Sequence, residues 1–494
     1  MAHLPPFPAG PMDPEETALA KKPRRAADCN PSSSSSSSSS AAEIDLISRL
    51  PDCLLSTIYP HLTTREAAKT ALLSSRWRRL WTTSPLHLDD DSLWSRSIQP
   101  RGRPRGSRMW TRDEDWRCRV ISRILRSHAG PVRLFRLAHT RFHGREPLAH
   151  SWFQTLAQKC VLQIDLLFPS LYDAQDVPAS LLACDSLQTL RLSHCRLPDT
   201  AKTPVDITLT RLTELTLSGA RLTEHDFCGL LSGCTALRSL SVIYNNSYLP
   251  RIHVRSRSLR SLTLSGSGAE ELFIEDAPNL ARLLMGWVSS KMWLKVVSAP
   301  KLEMLGYLHL LVQRLELGKS VFRMSQRIAD ISLSTLLFTL KTLAVEVKIH
   351  DYEEVKMFIH LLRCFPCLET LHIRCVCWNE PNPIVWTYLE QLNSVDCVDR
   401  HLKIVKFKNY QGGNSELEFA KFLITKARVL NVMKFQCGTS CCKRWVRAQR
   451  SLLCLQNRAS LDAQFVFVKD RRCSWEFNED ASNLSFADPF DSCR

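Results

Sequence analysis

Residues 187–192 read Leu-Gln-Thr-Leu-Arg-Leu, and this spacing of three apolar residues recurs along most of the chain. The clear copies start 25, 25, 22, 21 and 22 residues apart, at Leu187, Leu212, Leu237, Leu259, Leu280 and Leu302. Less regular copies start at Leu340, Leu368 and Leu402. A period of this length is typical of leucine-rich repeats. Because one repeat cannot bury its apolar side alone, we expect stacked short strands whose first, fourth and sixth residues enter a common core.

Strand alternation also predicts which side chains a partner would meet. The residues between the buried ones point to the opposite face, which we expect to be the concave surface of a solenoid. They are mostly small and neutral, whereas a nucleic-acid-binding surface would be lined with Lys and Arg. We therefore expect a protein client here and no nucleic acid. The candidate client-binding residues are Arg191, Glu214, Thr216, Ser239, Ser241, Thr263, Arg282 and His372.

Residues 46–81 predict a short helical module with more apolar surface than it can bury. Its apolar residues recur at steps of three and four from Leu50 to Leu62, which is one stripe of a helix. Pro51 suits a first helical turn, while Pro60 must break the helix. We expect a second helix capped by Thr63 or Thr64, and then a helix that carries Trp77 and Trp81. A helical hairpin buried in a larger core is the alternative.

The order of these residues closely resembles the F-box. The resemblance rests on Leu50-Pro51, Leu54-Leu55, Ile58, Leu72, Ser74 and the run Arg76 to Trp81, while Tyr59-Pro60-His61 is less apolar than the pattern. It implies docking on a Skp-type adaptor of a cullin-RING ubiquitin ligase. The adaptor-binding residues that it implies are Leu50, Pro51, Leu54, Leu55, Ile58, Leu62, Leu72, Trp77, Leu80 and Trp81.

Residues 363–435 form a second recognisable unit. Residues 401–410 alternate as a strand, Gly412-Gly413 predicts a turn, residues 416–426 predict an amphipathic helix, and residues 429–435 predict a further strand. This combination resembles the FBD domain, so residues 43–468 together resemble the plant F-box/FBD/leucine-rich-repeat family. The implied fold is α/β: an N-terminal helical F-box, a leucine-rich-repeat solenoid or horseshoe, and an FBD-like α/β cap that closes it.

The domain boundaries follow from these segments. Residues 1–42 predict a disordered Pro/Ser-rich tail because nine consecutive serines and a Pro-rich start cannot build a core. The further boundaries are 43–90 for the F-box, 91–362 for a linker helix and the repeats, 363–468 for the FBD-like unit, and 469–494 for a second tail. Within 91–362, the linker helix is expected from about Asp113 to Ser127.

Composition limits the compartment and the chemistry. The 494 residues are 44% hydrophobic and 23% charged, with a formal net charge of +16. No run of 18 uncharged apolar residues and no secretory signal pattern occurs, so we expect no membrane span and a location in the cytoplasm and/or nucleus. The basic residues 21–25 fit a nuclear import signal and a solvated tail equally well. The 19 cysteines are expected to be reduced thiols.

Catalysis and metal binding have little support. Cys364-x-x-Cys367 followed by Cys375-x-Cys377 has partial zinc-like spacing, but these residues flank a repeat strand, where small thiols suit packing. No phosphate loop, zinc-protease motif or nucleophile elbow is present, and no cofactor is expected. The sequence therefore predicts a non-catalytic receptor subunit of a Skp–cullin–F-box ubiquitin ligase, whose repeats bind a client. The alternative is a repeat-based scaffold or inhibitor that acts without ubiquitin.

Overall fold

A computed structural model gives the fold. It describes residues 47, 49–93, 108–142, 144–169, 174–201, 206–244, 249–286, 288, 291–310, 312–325, 328–376, 383–392, 394–437, 442–469, 484–485 and 487–491. The predicted tail over residues 1–42 and the basic residues 21–25 lie outside these ranges. No helix within them is both long and apolar enough to cross a membrane.

Helices lie mainly at the two ends of the described chain, and strands dominate its middle. The α-helices are α1 Asp52–Ile58, α2 Thr64–Thr70, α3 Ser75–Thr83, α4 Arg108–Ser127, α5 Glu146–Gln158, α6 Glu224–Gly233, α7 Tyr352–Arg363, α8 Pro383–Glu390, α9 Asp396–Arg400, α10 Asn414–Lys426 and α11 Lys443–Leu452. The strands are β1 Leu86–Asp89, β2 Val132–Leu137, β3 Gln163–Leu167, β4 Gln175–Asp176, β5 Thr189–Ser193, β6 Cys195–Arg196, β7 Glu214–Ser218, β8 Ser239–Ile243, β9 Arg251–Arg255, β10 Ser261–Ser265, β11 Glu271–Asp276, β12 Arg282–Gly286, β13 Trp293–Val296, β14 Met304–His309, β15 Arg314–Leu317, β16 Ser320–Ser325, β17 Ile328–Ser332, β18 Thr342–Val347, β19 Thr370–Cys375, β20 Ile404–Tyr410, β21 Val432–Cys437 and β22 Gln464–Lys469.

The main sheet is parallel and, over the described residues, has 14 strands in the order β1-β2-β3-β5-β7-β8-β10-β12-β14-β18-β19-β20-β21-β22. Every predicted repeat strand is one of them, so the repeat prediction is confirmed. The first, fourth and sixth residues of the regular copies are buried, as Leu187, Leu190 and Leu192 illustrate. Each strand thus needs its neighbour to bury these residues, and the stack is continuous.

A second sheet, with the order β17-β16-β15-β13-β11-β9, was not predicted. It packs its alternating apolar residues, such as Ile252 and Leu272, into the same core as the main sheet. The repeats that start at Leu237, Leu259 and Leu280 are 22, 21 and 22 residues long, and each contains one of these strands. The 25-residue repeat that starts at Leu212 instead contains α6. A helix advances about 1.5 Å per residue and a strand about 3.3 Å. Fewer residues therefore span the same distance as a strand, which fits the shorter repeats.

Tyr307 corrects one detail of the repeat pattern. As the sixth residue of its copy it was expected in the main core, but it packs with Leu284, Ala344 and Phe490 in a separate cluster. The pairing of β14 with β18 shifts register between Leu305 and Leu308. Such an irregularity turns the following side chain to the other face, so Leu308 takes the core position.

The N-terminal helices agree with the predicted breaks. Residues 59–61 form a single 3-10 turn after α1, and Thr63 caps α2 through a capping box with Glu66. Residues 86–89, assigned to the F-box from sequence, form β1 at the edge of the main sheet. The Thr64 hydroxyl donates to the carbonyl of His87 at 3.1 Å and accepts from the N–H of Asp89 at 2.8 Å. These bonds join the helical module directly to the repeats.

A close backbone contact reinforces this junction. The N–H groups of Ala129 and Gly130 both donate to the carbonyl of Thr82, at 2.9 and 3.0 Å. A Cβ atom at Gly130 would lie 2.5 Å from the carbonyl oxygen of Thr83. Only glycine therefore fits between the end of α3 and the loop that leads into β2. The linker helix α4 precedes this loop and begins five residues earlier than predicted.

The FBD-like unit continues the same sheet. Its predicted strands and helix are β20, α10 and β21, and these two strands, followed by β22, extend the row of parallel repeat strands. No sheet in the described chain is closed, so closure of the solenoid by this unit stays a prediction. The turn before α10 is held by the Glu416 carboxylate, which accepts N–H bonds from Gln411, Gly412 and Gly413 at 3.0, 2.7 and 3.0 Å.

The two turn glycines offer a matched test of this unit. Gly412 has φ +76°, and a Cβ there would lie 2.6 Å from the Gln449 side chain, whereas Gly413 has space around it. We expect Gly412→Ala to lower the free energy of unfolding by about 1–3 kcal/mol, because left-handed strain and a steric clash add. Gly413→Ala should change it by less than about 0.5 kcal/mol. Thermal and urea unfolding would measure both, and equal effects would contradict this account of the turn.

Candidate functional site

The helical module has a small core of its own. Leu55, Tyr59, Ala67 and Leu80 are buried, and the Tyr59 hydroxyl lies 2.7 Å from that of Thr70. The Tyr59 ring lies between those of Trp77 and Trp81, with centroids 6.1 and 6.5 Å away. The less apolar Tyr59-Pro60-His61 segment therefore contributes the central residue of the module.

An ion pair holds the first and third helices together. Asp52 at the start of α1 accepts from Arg76 at 2.7 Å and from Arg79 at 3.0 Å, both on α3. The hydrogen bond from Arg76 lowers the pKa of the Asp52 carboxyl, so it is charged at neutral pH. The apolar residues of α1 thus have a fixed position relative to α3.

The structure separates the predicted adaptor-binding residues into two groups. Leu55 and Leu80 are enclosed by the module and Trp81 packs on His128, so these two leucines are not exposed to a partner in this structure. A helical stripe does not reveal which of two adjacent leucines faces inward. The others are at least partly accessible: Leu50, Pro51, Leu54, Ile58, Leu62, Leu72 and Trp77.

The exposed part of this group is strongly apolar. Leu54 is 49% exposed, Leu72 is 82% exposed and Leu73, which was not predicted, is 69% exposed. They lie beside a core that is already filled, so their exposure is not needed to complete the module. Exposed apolar residues of this kind make the module a candidate interaction site.

The second candidate site is one register row on the polar face of the main sheet, the face opposite the leucine core. The row crosses the sheet strand by strand, and its chemistry changes along the way. In order it contains Asp89, Arg136, Asp165, Arg191, Thr216, Ser241, Thr263, Leu284 and Gly306, and beyond the register shift between β14 and β18 it continues with Ala344, His372, Lys406, Lys434 and Val466. Its beginning alternates in charge, its middle is small or apolar, and its basic residues on β20 and β21 lie just before the edge strand.

The predicted client-binding residues differ in accessibility. Arg191 is half-buried between Asp165 and Glu214, at 3.6 and 3.8 Å, and Glu214 is exposed. Thr216 and Arg282 are also half-buried. The remaining four are buried, so their predicted accessibility is wrong: Ser239, Ser241, Thr263 and His372. The short side chains on β8 and β10 have strands on both sides, and neighbouring side chains surround them.

His372 is buried for a different reason. Its ring lies 5.2 Å from that of Phe490, and its Nε2 lies 3.2 Å from the Asp488 carboxylate. Leu484, Asp488, Phe490 and Asp491 thus contact the polar face, within the stretch that the sequence predicts as a tail. The basic residues Arg374, Lys408 and Lys434 on the same face were also missed, although alternation from Lys406 along β20 indicates Lys408.

The cysteines with zinc-like spacing are buried or partly buried where they are described. Cys364 and Cys375 are buried and Cys367 is partly buried, while Cys377 and Cys441 lie outside the described residues. Burial raises the pKa of the Cys364 thiol to about 11, which disfavours the thiolate that a metal needs. In the described part of the chain, no three His, Cys, Asp or Glu side chains form a possible metal site.

This arrangement predicts insensitivity to chelators. A structural zinc site supplies on the order of 10 kcal/mol of folding free energy, so its loss would lower the melting temperature sharply. We expect the melting temperature to be unchanged after dialysis against EDTA and a thiol reductant. A large decrease that added zinc reverses would restore the metal interpretation of Cys364, Cys367, Cys375 and Cys377.

Comparison with known families defines the class. The leucine-rich-repeat model of the FBD-associated F-box protein At5g56370 matches residues 149–373, and the FBD model matches residues 390–435. These ranges contain the repeat strands from β3 to β18 and most of β19, and then β20, α10 and most of β21. The chain is therefore a leucine-rich-repeat protein with an FBD domain.

Relatives in Arabidopsis thaliana extend the match across the chain. The F-box/FBD/LRR-repeat protein At1g13570 is 26% identical over 86% of this chain and 99% of its own length. The putative FBD-associated F-box protein At5g22720 is 24% identical over 79% of this chain and 87% of its own. The putative F-box/LRR-repeat protein At3g58880 is 32% identical, over 48% and 51%. The relatives of this chain are thus Arabidopsis F-box/FBD/LRR-repeat and FBD-associated F-box proteins.

Proposed function

We propose that this chain is the substrate-recognition subunit of a Skp–cullin–F-box ubiquitin ligase. The observation that carries the proposal is the exposed apolar surface of α1 to α3, on a module whose own core is filled. Similarity to F-box/FBD/LRR-repeat proteins over most of the chain supports the same role. In this role the helical module binds a Skp-type adaptor, and the repeats bind a client protein.

In the proposed mechanism, this chain brings the client close to the ubiquitin-charged enzyme and catalyses no reaction itself. The adaptor and cullin hold the ubiquitin-charged enzyme, and the repeats hold the client, so a client lysine reacts at a high effective concentration. The contacts of Thr64 with β1 and of Thr82 with Gly130 favour a fixed geometry between the two binding sites. The proposal places the protein in the cytoplasm or the nucleus.

Exposed and buried leucines of the helical module test the adaptor surface. We expect Leu54→Ala with Leu72→Ala to weaken adaptor binding by about 30-fold or more, because truncation of interface anchors costs about 2 kcal/mol or more. The melting temperature should not change, since both side chains are exposed. Leu55→Ala is the matched control: it removes a buried side chain and should lower stability by about 2–5 kcal/mol. Calorimetric titration with purified adaptor and thermal melts measure the two effects.

Assembly of the complex tests the role as a whole. The tagged chain is expected to bring adaptor and cullin with it from plant cells, and the Leu54→Ala/Leu72→Ala variant is not. Recovery of other proteins without adaptor or cullin would favour the scaffold alternative. Equal recovery of cullin with the wild type and the variant would show that the adaptor docks elsewhere.

A further inference from the structure

A short acidic segment lies on the polar face of the main sheet. In sequence, residues 484–491 read Leu-Ser-Phe-Ala-Asp-Pro-Phe-Asp. Its described residues belong to no strand of either large sheet, and they contact the sheet mainly through side chains. Contact of this kind resembles a bound peptide more than an added strand.

An aromatic side chain anchors the segment. Phe490 is only 1% exposed and packs against Leu284, Tyr307 and Ala344. Its ring centroid lies 5.4 Å from that of Tyr307, with the planes at 76°. These partners come from β12, β14 and β18, and together they form an apolar pocket on a face that is otherwise polar. The pocket is part of the rigid sheet, and the segment supplies the side chain that fills it.

Two carboxylates flank this anchor and meet the basic residues of the row. Asp488 lies 2.6 Å from the Lys406 ammonium group and 3.2 Å from Nε2 of His372. Asp491 lies 3.1 Å from Lys406 and 3.5 Å from Lys434. Arg282 extends the contact by donating to the carbonyl of Leu484 at 3.3 Å.

The charges of these groups are matched. Burial by itself would raise the pKa of Asp488, but its contacts with His372 and Lys406 hold that pKa well below its usual value. Burial would likewise lower the pKa of Lys406, and the contact with Asp488 raises it instead. Both partners are therefore charged at neutral pH. A ligand without these carboxylates would leave Lys406 half-enclosed and uncompensated.

We propose that this pocket is the client-recognition site, that it binds a short segment with an aromatic side chain between two carboxylates, and that Asp488, Phe490 and Asp491 occupy it as an internal ligand. The inference rests on the proposed function, because it names the chemistry of the client. A tethered segment acts at an effective concentration of roughly millimolar or more. A client must displace it, so the free site binds more tightly than the occupied one.

A synthetic peptide of residues 484–491 with a fluorescent label is a direct probe. We compare its binding, by fluorescence anisotropy, to the intact chain and to an opened variant, Asp488→Asn with Phe490→Ala. The expected result is at least 10-fold tighter binding to the opened variant. A peptide in which Ala replaces the residue at position 490 should lose at least 10-fold in affinity for the same variant.

A matched pair of lysines locates the peptide. In the opened variant, Lys406→Glu should abolish binding, because Lys406 contacts both carboxylates. Lys403→Glu should leave binding unchanged, since Lys403 lies just before the same strand and pairs with Glu369 at 2.9 Å instead. Peptide binding that survives Lys406→Glu, or that is equal for the intact chain and the opened variant, would overturn the proposal.

Two controls keep the test decisive. Should the opened variant unfold, Asp488→Asn with Asp491→Asn, which keeps Phe490, takes its place. Failure of both variants to fold, or folded variants that bind no peptide, would mean that the segment is a fixed part of the fold and would overturn the inference. Adaptor capture is measured on the intact chain and on the same variants. An intact chain that captures no adaptor would refute the ligase role, whereas the peptide-binding result tests only the pocket.

Discussion

The structure depends on one constraint: a leucine-rich repeat cannot bury its leucines without a strand on each side. Each strand in the described part of the main sheet meets this need for its neighbours, from β1 at one edge to β22 at the other. The helical module contributes the segment that leads into β1, and the FBD domain contributes β20 and β21. Segments that sequence comparison treats as separate domains therefore share one sheet and one core.

The same stacking creates the polar face. Since the described strands of the main sheet are parallel and mostly in register, side chains at equivalent positions form rows across many repeats. A row can change its character gradually, from the Asp165–Arg191 pairing to the apolar middle at Leu284 and Ala344 and then to the basic side chain of Lys406. The net charge of +16 is thus partly concentrated where a ligand would meet it. The expectation of a mostly neutral surface holds for the middle strands only.

Much of this was readable from the sequence. The spacing that starts at Leu187 located the main strands, and Pro60 and Thr63 located the breaks in the helical module. The second sheet was missed because strands such as Arg251–Arg255 are short and follow no leucine pattern, although their alternation is visible afterwards. The stripe around Leu54 and Leu55 could not tell exposed from buried, because that depends on Tyr59 and α3. Phe490 has no periodic neighbours, and only the folded sheet reveals its pocket.

The contact of Gly130 with the end of α3 has a consequence for substrate choice. Two backbone bonds to Thr82 and the bonds of Thr64 to β1 tie the helical module to the first strand of the main sheet and to the loop that leads into β2. In the proposed ligase, a client held on the sheet would therefore sit at a nearly constant distance and orientation from the transferring enzyme. Only client lysines within reach of the transferring enzyme would be ubiquitinated, so the geometry of the junction would select the attachment sites on the client.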